Sequence, residues 1–138
     1  MHSTITVHHE DGDRFAIDVR GHRVVVDQPV GAGGGDAGRT PTELFVAGLA
    51  SCVAFYAERF LVRHGLPAAG LGVDCWFEMS EDHPARVVTI EVRLRLPAGF
   101  PEERRIALER VVERCTVHNT LRLGTEVRIG LVSVPAAA

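Results

Sequence analysis

Three kinds of side chain in this chain could do chemistry beyond packing: three cysteines, seven histidines, and the carboxylates that could orient a base beside them. The cysteines sit in different settings. Cys52 follows Ser51 in the middle of a long apolar run. Cys75 lies among the inward residues of a strand pattern and reads as small core filling. Cys115 closes an apolar stripe with Leu108, Val111 and Val112 at helical spacing, immediately before a break and a new helical start. A sulfur at a helix start meets unpaired backbone amides, which lower a thiol's pKa and favour the nucleophilic thiolate. The count is odd, and Met1-His2-Ser3-Thr4 leads straight into strand-like sequence with no charged start and apolar stretch. Both features predict reduced thiols in a cytoplasmic protein, not a disulfide framework.

The histidines, at 2, 8, 9, 22, 64, 83 and 118, show no metal-ligand spacing, so no metal is expected. His8 and His9 are neighbours on a strand and point to opposite faces. His118 alone falls near a reactive candidate, three residues beyond Cys115. Gly33-Gly-Gly-Asp-Ala-Gly38 formally matches G-x-G-x-x-G. A dinucleotide site also needs repeated βαβ units and an acid at the end of a second strand about 20 residues on. Here the acid at that distance, Glu58, lies inside a helical pattern, so the segment reads as a connector and no cofactor is expected. All fifteen basic residues are Arg, which excludes a phosphate-loop lysine, a Schiff base and a lysine general base. Against 18 acids they leave a net charge of −3, which argues against nucleic acid as a partner.

The elements that must position these residues can be read in order. Residues 3–20 alternate as a hairpin, and Arg23–Asp27 forms a third strand before the glycine-rich loop. Thr40, Pro41 and Glu43 spell the cap, first turn and capping box of a helix that Gly65 and Pro67 stop near His64. Its run Leu44–Ala57 is apolar on nearly every side and must therefore be covered on every side. That requirement predicts a homodimer, with a second copy of the helix across a twofold axis. The run is about 14 residues against the roughly 20 that span a bilayer, so no membrane is expected. Leu71–Met79 and Val88–Leu96 alternate as an antiparallel hairpin, Pro101 opens a second helix, a short helical turn follows Thr116, and Val127, Ile129 and Leu131 suggest a last strand. The order is that of a single α+β domain over residues 1–138, long enough to bury roughly 68% of its unfolded surface.

Two segments resemble a known family. Pro41-Thr-Glu-Leu-Phe-Val-Ala-Gly-Leu-Ala-Ser-Cys52 is similar to the P-x-E-L…A…S-C segment of the OsmC/Ohr family of thiol-dependent peroxidases. Cys115-Thr-Val-His-Asn-Thr-Leu121 is similar to its second motif, a cysteine followed by P/S-V-x-x-T-L. The resemblance implies an OsmC-like fold, an antiparallel sheet around a long buried central helix in an intertwined homodimer with its two active sites at the subunit interface. It implies an antioxidant, stress-response activity without a cofactor, in which a Cys52 thiolate attacks an organic hydroperoxide and becomes a sulfenic acid. Cys115 would then close a disulfide, and an external dithiol would reopen it. It further implies an Arg, paired with a Glu, beside the Cys52 thiolate; Glu43 is the candidate acid, and Arg14, Arg20 and Arg39 are the candidate cations. The best-characterised members of the family carry Glu directly after the Pro, where this chain has Thr42. Glu43 stands one later, turned by about 100° on a helix. The alternative is a dimeric protein of the same fold that binds an apolar or sulfur-bearing ligand with slow turnover or none.

Overall fold

The protein, a computed structural model, is described here over residues 3–136. Strands β1 (Ile5–Asp11), β2 (Arg14–Val19) and β3 (His22–Val26) pair antiparallel in sequence order. Arg20 and Gly21 connect β2 to β3 with φ of 50° and 80°, so both central residues of this two-residue turn are left-handed, as the twist of a hairpin requires.

The glycine-rich segment after β3 is a folded strap held by one carboxylate. Asp27 is 2% exposed. One of its oxygens accepts the Gln28 amide at 2.7 Å and the other the Ala37 amide at 3.0 Å. Those amides, Ala37's foremost, hold its carboxyl below the usual carboxylate range. A side chain at Gly34 would strike the Gln28 carbonyl, and one at Gly38 the Val25 carbonyl. The Asp27 amide in turn donates to the Arg39 carbonyl at 3.1 Å and delivers the chain to the helix start.

Helix α1 runs Pro41–Arg63. Thr40 Oγ1 accepts the Glu43 amide at 3.1 Å and the Glu43 carboxylate accepts the Thr40 amide at 2.9 Å, which is the expected capping box. β4 (Gly72–Met79) and β5 (Val87–Arg95) pair antiparallel with Cys75 opposite Val92 and Phe77 opposite Ile90. A 3₁₀ turn over Glu102–Arg104 leads into α2 (Arg105–Val112), and α3 (Thr116–Leu123) follows. The core gathers Leu49, Val53, Ala57 and Leu61 of α1 with Leu108 and Val112 of α2, and β5 packs over it through Ile90, Val92 and Leu94.

One expectation is corrected. Residues 124–136 have no regular structure, so the strand expected around Val127–Leu131 does not form. A strand persists only when its amides pair, and β4–β5 closes as a two-stranded sheet without it. Helix α1 ends where expected, near His64, and its 23 residues are long and apolar enough by composition to cross a bilayer. Here Val53, Ala57, Phe60 and Leu61 face the core of the same chain, as in a core helix. The opposite side is open: Phe45, Phe55 and Val62 are about half exposed or more, and Gly48 has free space beside it.

Asp27→Asn keeps the shape and replaces one acceptor oxygen by a donor, so amide exchange at Ala37 should speed up about fivefold or more. In the wild type the clamp is fully present above the unfolded carboxyl pKa near 3.9 and is lost as pH falls through the lower folded value. Exchange at Ala37 that is the same in both proteins at pH 6 would show that Asp27 does not hold the strap.

Candidate active site

Cys52 and Cys115, 63 positions apart in sequence, meet in the fold. α1 presents Cys52 between Leu49 and Val53, at the edge of its buried face, and leaves it half-buried. The break between α2 and α3 brings Cys115 underneath, where it is 0% exposed. Cys115 is the N-cap of α3, and its sulfur accepts the His118 amide at 3.4 Å. The break is itself fastened: the His118 ring donates from Nδ1 to the Glu113 carbonyl at 2.7 Å, and the Asn119 side chain donates to the Arg114 carbonyl at 3.1 Å.

Burial pushes the Cys115 thiol up, and this outweighs the other influences on it. The His118 and Val117 amides pull it down, as expected of a helix start, while a hydrogen bond to Cys52 and the charge on Cys52 push it up again. The helix start was expected to favour a Cys115 thiolate; burial decides the opposite. A charge on Cys52 thus acts on Cys115 in the same direction as burial. Cys75, on β4, is raised by burial alone and has no part in the pair.

Glu43 lies elsewhere. Nine residues of helix separate it from Cys52, about 13 Å along α1. Its carboxyl is held low first by the Thr40 amide, then by the Thr40 hydroxyl, with a smaller pull from the Arg39 charge. Of the three candidate cations, Arg14 pairs with Glu10 at 3.3 Å and Arg20 sits in the β2–β3 turn. Arg39 is the one whose charge acts on Glu43. The single chain thus brings the two thiols together in mid-helix and places Arg39 near Glu43 at the helix start, but does not bring Glu43 to the thiols.

Two hollows flank these groups. One of about 410 Å³ lies between α1, β5 and α2, with Leu49 and Val53 on one wall, Leu108 and Val112 on another and His118 on its polar side. The other, about 530 Å³ and almost wholly apolar, opens between β2 and the start of α1 over Phe15, Ile17, Leu44 and Phe45. One contact near the thiols has no local signal in the sequence: the Tyr56 hydroxyl lies 3.1 Å from Thr116 Oγ1.

The family profile for OsmC-like proteins matches residues 33–130, most of the chain and both cysteine segments. The chain belongs to the OsmC-like protein family. Solved OsmC-like structures share the fold at low identity. One, from Psychrobacter arcticus, is described as an osmotic stress induced and detoxification response protein. It is 19% identical, with 87% of this chain and 88% of that one covered at a TM-score of 0.79. An OsmC-like protein from Mycoplasma pneumoniae is 17% identical, with 88% of each chain covered and a TM-score of 0.76. An organic hydroperoxide resistance protein from Legionella pneumophila is 15% identical, with 88% and 90% covered and a TM-score of 0.68. No curated protein matches the sequence.

The raised thiols of this OsmC-like chain make its stability fall in alkali. Unfolded thiols titrate near 8.5, and Cys75 and Cys115 titrate higher in the fold. Their contribution is complete below about pH 8.5 and is lost as pH rises through the folded values. Urea unfolding from pH 7.5 to 10 should show this decline, and a Cys75→Ala, Cys115→Ala double variant should show less of it. Equal slopes in the two proteins would place the cause elsewhere.

Proposed function

We propose that this OsmC-like protein is a homodimeric, cofactor-free peroxidase that reduces organic hydroperoxides through Cys52 and Cys115. The observation that carries the reading is the asymmetry of the pair. A half-exposed Cys52 touches an enclosed Cys115 whose thiol is pushed up by burial. The Cys52 thiolate attacks the distal oxygen of the hydroperoxide, an S–O bond forms, the O–O bond breaks, and the departing alkoxide leaves as the alcohol. Cys115 then displaces hydroxide from that sulfur, which leaves as water with the Cys115 proton, and an external dithiol reduces the resulting disulfide. Apolar walls at Leu49 and Val53 favour a greasy hydroperoxide. Several proteins of the same fold are named for organic hydroperoxide resistance, which agrees with this chemistry.

The second copy supplies what one chain lacks. Phe45, Phe55 and Val62 form an uncovered apolar side of α1, with the small residues Gly48 and Ser51 between them allowing close approach. Val127, Ile129 and Leu131 are 73%, 89% and 98% exposed at alternate positions, a strand pattern whose pairing surface lies on another molecule. Two α1 helices packed antiparallel would carry Arg39 and Glu43 of one copy towards Cys52 of the other, where the guanidinium stabilises the thiolate. One observation favours the alternative, a slow ligand-binding protein of the same fold: the Glu43 carboxylate is already engaged as a cap.

A ferrous–xylenol assay with cumene hydroperoxide and a dithiol separates the two readings. The wild type should turn over, Cys52→Ser should not, and Cys115→Ser should consume about one equivalent and stop. Full activity in Cys52→Ser, or none in the wild type, would sink the peroxidase reading.

Assembly has its own test. Light scattering should give about 30 kDa, twice the 15.0 kDa chain. Phe55→Arg, a charge in the helix seam, should aggregate or unfold and not yield a tidy monomer. A stable native monomer of the wild type at micromolar concentration would refute the packing argument.

A further inference from the structure

Cys115 must be held within a narrow range for a disulfide to close, because the bond needs Cα atoms about 4.4–6.8 Å apart and a torsion near 90°. Yet α3, the helix that begins at Cys115, buries none of its own side chains. Cys115 is enclosed in the core beside α1, but of α3 itself only the half-buried Val117 packs against that core. Besides the Cys52–Cys115 contact itself, a side-chain hydrogen bond links Tyr56 of α1 to Thr116 of α3. Tyr56 is one turn beyond Cys52 on the same flank of α1, and Thr116 is the residue after Cys115. The bond thus ties the neighbour of one sulfur to the neighbour of the other across 60 positions of sequence. Tyr56 is half-buried, while Thr116 and the bond itself are open to solvent.

We propose that Tyr56 and Thr116 are positioning residues whose paired hydroxyls hold Cys115 against Cys52 for disulfide closure. The inference rests on the peroxidase reading for its place in a reaction cycle, and on geometry alone for its effect on the thiol pair. The step it governs is the second one, in which the S–S bond forms, the S–O bond of the Cys52 sulfenic acid breaks and water departs with the Cys115 proton. The hydroperoxide has by then taken the two electrons. Where Cys115 is loosely held, the sulfenic acid lives longer and is open to capture or to further oxidation.

The first measurement needs no peroxide. Equilibrating the full-length protein with glutathione buffers gives the effective concentration of one thiol towards the other. Tyr56→Phe and Thr116→Val should each lower it about fivefold, the share of one neutral hydrogen bond. The double variant should fall no further, and Thr116→Ser, which keeps the hydroxyl, should match the wild type. The second measurement adds one equivalent of cumene hydroperoxide in the presence of dimedone. The ratio of dimedone-capped Cys52 to disulfide should rise about fivefold in Tyr56→Phe and in Thr116→Val, but not in Thr116→Ser. If the glutathione equilibrium shifts as expected while peroxide leaves wild-type Cys52 unoxidised, the peroxidase reading fails and the positioning role stands. If peroxide oxidises the wild type and both hydroxyl-less variants match it in both measurements, the positioning role is overturned. Loss of effective concentration in Thr116→Ser as great as in Thr116→Val would also overturn it, since bulk and not the hydroxyl would be responsible.

Discussion

A helix with apolar side chains on every face asks for more cover than a chain of 138 residues can supply. α1 sets the terms for everything packed around it. The β4–β5 hairpin and α2 take one side, sealing Val53, Ala57 and Leu61. The strap clamped by Asp27 fixes where the helix begins and in which direction it enters. The remaining side keeps Phe55 and its neighbours in water, at a cost of about 25 cal/mol for each Å² of apolar surface left uncovered. Cys52 lies at the boundary between these two sides. It is therefore half enclosed by its own chain and half presented outwards, which is the placement a thiol needs if it is to be both protected and reached.

The electrostatics of the thiol pair follow from that placement. Burial and a helix start act on Cys115 in opposite directions, and burial prevails because the sulfur is fully enclosed while the His118 amide contact to it is long, at 3.4 Å. A charge on the neighbouring Cys52 acts in the same direction as burial and raises the Cys115 thiol further. Arg39 stands near Glu43 at the start of α1, and its charge adds a small pull on that carboxyl. One chain therefore holds the two thiols at mid-helix and the capped carboxylate at the helix start, separated by the helix between them.

Much of this was legible in the residues. Thr40, Pro41 and Glu43 announce a helix start because capping is a local hydrogen-bonding problem with few solutions. The two hairpins follow from alternation and turn chemistry, and both pair where their patterns place them. The failed strand at Val127–Leu131 has an equally good alternating pattern, but pairing is a property of two segments and only one of them was read. The same reason hides the Tyr56–Thr116 contact, since neither residue carries any mark of the other. The Cys115 thiol was misread because the helix start is visible in sequence while the depth of burial is not. Arg39 could not be told from Arg14 and Arg20 by type, and only its place beside the capping box singles it out.

The exposed tail of the chain also bears on how the protein stays in solution before its surfaces are satisfied. Val127 to Val134 carries five large apolar residues, the composition that stacks readily into intermolecular sheet. Two residues guard it. Arg128, paired with Glu126 at 2.9 Å, places charge near the start of the window. Pro135 closes the window with a residue that has no amide to donate to a growing edge. Natural sequences set such gatekeepers beside segments that must stay sticky. Replacing Arg128 or Pro135 by an apolar, β-prone residue would leave the core of the subunit intact and expose the newly made chain to misassembly.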